Sequence, residues 1–142
     1  MTNKEKKIIG RREIVDFPEL GLFNITAKID TGAYTAVLHC HTIRVINNVL
    51  HFKLLDPTHP EYENKEITFK TFYQKDIKNS FGEIEKRFII KTKVRIAKRA
   101  ILSLISLTDR GEMRYPVLIG RRLLKKKFIV DVSELYLWNH KK

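Results

Sequence analysis

The sequence predicts an all-β domain: a mainly antiparallel, partly closed barrel with one short helix near its carboxyl end. Three observations lead there. Apolar and polar residues alternate with period 2 along residues 22–29, the pattern of a half-buried strand. Apolar and β-branched runs recur down the chain and are separated by turn formers. Only residues 121–127, with Leu123 and Leu124, read as helical, and that stretch is short. Successive strands with no repeat, no low-complexity segment and no alternating helices fit a barrel.

In order, residues 1–7 are polar and charged and are expected to fray. Residues 8–15 read as a first strand, and Phe17, Pro18, Glu19, Leu20 and Gly21 as a turn. Residues 22–29 place Phe23, Ile25, Ala27 and Ile29 on one face and end at Asp30. Beyond a turn at Gly32, residues 35–41 are expected to form a short strand. Residues 43–46 and 49–54 flank Asn47-Asn48, a tight hairpin signal because asparagine tolerates positive φ. Residues 56–64, with Pro57 and Pro60, read as an exposed loop. Residues 67–73 then predict a strand and 74–82 a polar loop. Residues 87–96 and 100–107 read as a long hairpin turning through Ala97, Lys98 and Arg99, and Asp109, Arg110, Gly111 and Glu112 as the next turn. A strand over 117–120 precedes the helix, a last strand covers 128–132, and Tyr136, Leu137 and Trp138 are expected to cover the core edge.

A chain of 142 residues with 43% hydrophobic content is long enough to bury a core without staples, so one domain over residues 1–142 is expected. No apolar run approaches the roughly 18 residues that cross a bilayer. The amino terminus carries charge without the apolar core and cleavage site of a secretory signal. Together with a single cysteine, Cys40, this gives cytoplasmic residence, with no membrane partner, as the expectation. The balance of 28 Lys+Arg against 16 Asp+Glu, a formal charge of +12, attracts nucleic acid, ribosomes or acidic peptides. The alternating Lys91, Lys93 and Arg95 read as a solvated strand face.

The chemistry concentrates at Lys28-Ile29-Asp30-Thr31-Gly32-Ala33. A carboxylate at a strand end, beside a hydroxyl and a residue without a side chain, can be held by short local hydrogen bonds, which suits a catalytic acid or base. Far along the chain, Pro116-Val117-Leu118-Ile119-Gly120-Arg121-Arg122-Leu123-Leu124 is apolar up to its glycine and then basic with paired leucines. Together the two runs resemble the signature blocks of the retropepsin-like aspartic peptidases. The resemblance implies an acid-protease barrel and peptide-bond hydrolysis by two carboxylates sharing a proton around one water. This chain has a single Asp-Thr-Gly; Asp56, Asp76, Asp109 and Asp131 lack that context. The second acid must then come from a second copy, giving a homodimer with Asp30 contributed twice and no cofactor. In this resemblance Thr31 braces the dyad across subunits, Gly32 and Ala33 shape its loop, and Gly120 and Arg121 pack behind it.

The match is nearest a bacterial branch labelled "ATP-dependent zinc protease", some members of which accompany ATP-grasp glutamate ligases. Its blocks include Ile9-Gly10-Arg11-Arg12-Glu13, Pro18-Glu19-Leu20-Gly21, Leu38-His39 and Phe128-Ile129-Val130-Asp131. The chain departs from it at Tyr34, where arginine is usual, and at Cys40, where a small residue is usual. Ala97-Lys98-Arg99-Ala100 also stands at the hairpin turn where a glycine-rich flap tip is expected. The resemblance implies a peptide or protein substrate, acidic if it carries glutamates added by a partner ligase.

Neither a His-Glu-x-x-His helix nor a phosphate-binding Gly-x-x-x-x-Gly-Lys loop occurs, so zinc and ATP dependence have no motif here. In His39-Cys40-His41 only the two histidines share a strand face and could share a metal; a packed Cys40 between ordinary histidines is the preferred reading. Two other function classes compete: a basic barrel that binds nucleic acid, suggested by Phe69, Phe72 and Tyr73 in one strand, and an inactive barrel that serves a glutamate ligase as a binding module.

Overall fold

A computed structural model describes residues 5–55, 57, 59–60, 62–78, 81–109 and 114–138, with the side chains of residues 77 and 78 excepted. The strands are β1 (Lys7–Ile9), β2 (Arg12–Phe17), β3 (Leu22–Ile29), β4 (Ala36–Ile46), β5 (Val49–Leu54) and β6 (Glu66–Phe69). They continue with β7 (Tyr73–Lys78), β8 (Ile84–Ile96), β9 (Arg99–Thr108), β10 (Val117–Ile119) and β11 (Phe128–Val130), and the one helix, α1, is Arg121–Leu124. The pairing order β10-β3-β2-β8-β9-β4 returns to β10, which bonds both β3 and β4, so six strands close into a barrel. Five strands lie outside the ring: β5 and β6 extend β4, β7 lies on β8, and β1 with β11 forms a separate two-stranded sheet. Most pairings are antiparallel; β10 with β3 and β4 with β9 are parallel. The core inside is aliphatic, with Ile25, Ala27, Leu38, Ile90, Val94, Ile96, Ile105, Val117 and Ile119 all buried.

Several elements differ from the sequence reading, each for a local reason. The first strand breaks at Gly10-Arg11, so that β1 leaves the barrel and pairs in parallel with β11. On β3, Ile25, Ala27 and Ile29 face inward as expected, but Phe23 is 49% exposed and Leu22 is buried instead. Asn24 sits at φ 58 and donates its N–H to Asp16 Oδ1 at 2.7 Å, and this bulge shifts the phase by one residue. The two expected runs at 35–41 and 43–46 are one strand, β4, with an irregularity at Thr42, whose φ is 55. The hairpin at Asn47-Asn48 forms as read, with both residues at positive φ.

The expected strand over 67–73 is two strands, β6 and β7, and β7 occupies part of the expected polar loop. Its polar residues are those of an edge strand: Gln74, Lys75 and Asp76 pair with Phe88, Arg87 and Lys86, so main-chain pairing outweighs low strand propensity. The long hairpin turns on two residues, Ala97 and Lys98, at φ 52 and 65. It is no projecting tip. Ala97 is fully buried and its carbonyl accepts from Lys7 Nζ at 2.7 Å. Lys91, Lys93 and Arg95 are exposed, as an alternating solvated face requires. Phe69 and Phe72 pack against the core, in ring contact with Phe52 and Phe88 respectively, and do not share a strand. Asp56 in the first loop, Arg110, Gly111 and Glu112 of the turn, Met113 and His140 lie outside the described residues.

The segment up to Trp138 is tied down by a buried acid, the last residue of the Ile9-Gly10-Arg11-Arg12-Glu13 block. Glu13 is fully buried; its Oε2 accepts from the Gly10 N–H at 2.8 Å and the Leu137 N–H at 3.0 Å, and Oε1 accepts from the Trp138 N–H at 3.1 Å. Trp138 Nε1 donates to the Ile8 carbonyl at 2.7 Å and its ring packs against the core, whereas Leu137, expected on the core edge, is 44% exposed. A second acid, Glu19, joins the turn after β2 to β8, accepting from Thr92 Oγ1 at 3.0 Å and the Lys93 N–H at 3.1 Å. The Lys93 backbone N–H, then the Thr92 hydroxyl, hold the Glu19 carboxyl below its ordinary range. That stabilisation is present at neutral pH and fades as pH falls through the lowered value. For Glu13, Glu13→Gln sets an amide NH2 against backbone donors. Thermal or urea unfolding should show a loss of about 2 kcal/mol with the fold retained.

Candidate active site

Asp30 follows β3 at the point where the ring closes. The ladder continues through it, since its N–H donates to the Ile119 carbonyl of β10 at 2.9 Å. The chain then turns back, with the Ala33 N–H donating to the Asp30 carbonyl at 3.1 Å. This turn aims the Gly32 N–H at the half-buried side chain, where it donates to Asp30 Oδ1 at 3.1 Å. A Cβ on Gly32 would stand 3.3 Å from that same oxygen, so a side chain here would crowd the carboxylate. Thr31 is exposed, and its carbonyl and that of Gly32 both accept from Arg121 Nη1, at 3.0 and 3.1 Å.

The second block provides the platform beneath this loop. A Cβ on Gly120 would lie 2.8 Å from the Tyr34 carbonyl carbon and oxygen and 2.9 Å from the Ala33 oxygen, so only glycine fits. That closeness lets the Arg121 N–H donate to the Ala33 carbonyl at 2.8 Å and the Arg122 N–H to the Tyr34 carbonyl at 3.0 Å. The Tyr34 ring has the guanidinium carbons of Arg121 and Arg122 each 5.8 Å from its centroid. Tyr34 thus fills the place of the usual arginine by stacking on two arginines supplied by α1. Thr31, Tyr34, Arg121, Leu124 and Phe128 line an open cleft of about 590 Å³ beside the loop.

The six residues expected at the site are therefore together: Asp30 at the surface, Thr31, Gly32 and Ala33 in its loop, and Gly120 and Arg121 bonded beneath it. The remaining candidates lie apart. His39 is buried, and His41 contacts Tyr62 Oη at 3.2 Å and Thr42 Oγ1 at 2.9 Å. Among the described residues no three His, Cys, Asp or Glu side chains gather as a metal site would require. Burial, then the charge of Asp109, pushes the Cys40 thiol well above its ordinary range, so it is a packed residue rather than a nucleophile. Of the other aspartates, Asp16 accepts from the Asn24 N–H at the β2–β3 bulge and Asp131 from Ser133 in a local turn.

Residues 8–141 match the family described as RimB-like, retropepsin-like aspartic endopeptidase RimB. Two similar curated proteins are named probable alpha-L-glutamate ligase. The one from Shewanella halifaxensis is 34% identical over 135 residues, covering 92% of this chain and 30% of that protein. The one from Desulfotalea psychrophila is 31% identical over 130 residues, covering 89% of this chain and 28% of that protein. The chain thus spans less than a third of the length of these relatives. A solved Legionella pneumophila protein of unknown function superposes with a TM-score of 0.72 at 24% identity, over 94% of this chain and 98% of that one, a likeness of fold. For the seam under the loop, Gly120→Ala should force the Ala33–Tyr34 backbone away. Denaturant unfolding is expected to give a loss of about 3 kcal/mol, where Gly32→Ala leaves stability nearer the parent.

Proposed function

The chain belongs to the RimB-like family of retropepsin-like aspartic endopeptidases, and on that premise we propose that it hydrolyses peptide bonds with Asp30 contributed by each of two copies. The observation that carries this reading is the presentation of Asp30: a half-buried carboxylate on a surface loop whose every turn is bonded to backbone or to Arg121. Such a loop holds its acid in one position before substrate arrives, so little reorganisation is needed during reaction. With two such carboxylates around one water, like charges oppose double ionisation. One then stays protonated and polarises the scissile carbonyl while the other takes a proton from the water.

The pairing has structural support next to the loop. The β1–β11 ribbon stands apart from the barrel, and its cross-strand pair Ile8 and Ile129 is 51% and 52% exposed. Val132 is 70% exposed, and the residues flanking Ile129 on β11, Phe128 and Val130, line the cleft that also holds Tyr34 and Thr31. An exposed apolar face on the ribbon whose other side lines the cleft beside the acid-bearing loop is where a second copy would bring its own Asp30.

Acidic peptides, including glutamate chains added by a partner ligase, are the substrate class this reading favours, given the formal charge of +12 and relatives named as glutamate ligases. Asp30→Asn should abolish hydrolysis of a glutamate-rich peptide while leaving the unfolding midpoint nearly unchanged; retained turnover contradicts the assignment. Added salt should raise KM on that peptide with little change in kcat, because steering by the positive field is screened while the chemistry at the dyad is not. A KM that ignores ionic strength contradicts the acidic substrate.

A further inference from the structure

A second cleft, of about 400 Å³, lies beside the lower end of β10. Four cations line it, Arg11, Arg12, Lys28 and Arg114, around the ring of Tyr115. Its apolar lining is Ile29 and Leu118, and no acidic residue is among the described lining residues. Main-chain pairing fixes the arrangement: Lys28 is the register partner of Arg12 on β2 and of Leu118 on β10. The guanidinium carbon of Arg12 stands 4.9 Å from the Tyr115 centroid and that of Arg114 5.6 Å, so one ring orients both. Arg11 is tied to the Val132 carbonyl through Nη1 at 2.9 Å.

Lys28 and Ile29 bring this cluster to the chain segment that ends at Asp30. Lys28 stands two positions before Asp30, so both side chains leave the chain on the same face, about 7 Å apart along it. Collecting several cations in one concavity raises the energy of the empty protein through mutual repulsion, and an incoming anion relieves it. The cleft is a pocket rather than a track: the alternating Lys91, Lys93 and Arg95 of β8 are outside it, and it offers no run of phosphate-spaced charges.

We propose that this cleft is a side-chain subsite that receives a carboxylate of the peptide next to the scissile bond, with Arg12, Lys28 and Arg114 selecting glutamate over glutamine. The inference rests on the reading of Asp30 as the catalytic acid, because it assigns the cleft to the same bound peptide. Arginine suits such a role, since a stacked guanidinium presents a planar edge to a carboxylate, and such charge-assisted bonds are each worth about tenfold or more in affinity.

Binding rather than turnover separates the inference from the reading beneath it. Labelled glutamate-rich and glutamine-rich peptides of equal length are titrated into Asp30→Asn protein, which keeps the cleft whatever its activity. The glutamate peptide should bind at least tenfold more tightly. Lys28→Gln and Arg114→Gln, both at exposed side chains, should each cut that preference severalfold, and the pair of changes together should nearly remove it. Lys91→Gln with Lys93→Gln removes the same charge on β8 and should leave the preference within about twofold. Equal losses from both pairs would mean a general field rather than a subsite, and absence of any glutamate preference would also overturn the inference. Hydrolysis that persists in Asp30→Asn would overturn the catalytic assignment alone, leaving the binding comparison to decide the subsite.

Discussion

The constraint on which the site depends is the approach of the Gly120 α-carbon to the Ala33–Tyr34 backbone, where no side chain fits. It arises because β10 is inserted between β3 and β4 and closes the barrel. Through β10 the Asp30 N–H is bonded to Ile119, and just beyond it Arg121 and Arg122 satisfy the carbonyls of Ala33 and Tyr34. Arg121 then returns its side chain to Thr31 and Gly32. Closure of the core and placement of the acid are thus one event, made by residues about ninety positions apart in the chain.

A second set of polar ties fixes what lies outside the ring. Glu13 gathers three backbone N–H groups from both ends of the chain, and Lys7, Trp138 and Ala97 are bonded around the same region. A buried carboxylate is tolerable because donors surround it; left without them it would be costly. The result is a ribbon, β1 with β11, whose inner residues Ile9 and Phe128 are buried while Ile8 and Ile129 look outward. The ribbon is thereby held with Phe128 and Val130 lining the cleft beside Thr31, while Ile8 and Ile129 stay exposed.

Much of this is legible in the residues. Alternation marks β5 over its full length and β3 from Ile25 onward, asparagines mark the hairpin after β4, and the two signature runs contain all six residues of the loop and its platform. What escapes depends on partners far away in sequence. No local rule foretells that Asn24 bulges toward Asp16 and turns Phe23 outward. The polar β7 is a strand only because β8 offers it a ladder. Glu13 closes one of the family blocks, but its role as a tie is not legible there, since its donors come from residues 10, 137 and 138. The cationic cleft is hidden for the same reason: Arg12, Lys28 and Arg114 belong to separate stretches that meet around Tyr115, although Lys28 and Asp30 already share a face by period.

Two clefts flank the segment that carries Asp30, one including Thr31 and the other Lys28 and Ile29. One, bounded by Tyr34 and Phe128, opens toward the outward ribbon; the other, bounded by Tyr115, is cationic and opens beside Lys28. In both, an aromatic ring with two stacked guanidiniums sets the charge. Whether one carboxylate acts with its twin is decided most directly by activity in mixtures of the parent protein with Asp30→Asn, co-refolded so that subunits combine at random. If the dyad spans two copies, mixed pairs are inactive, and an equal mixture keeps roughly a quarter of the parent activity. Retention of about half, proportional to the parent protein present, would mean that each chain works alone and would contradict the account.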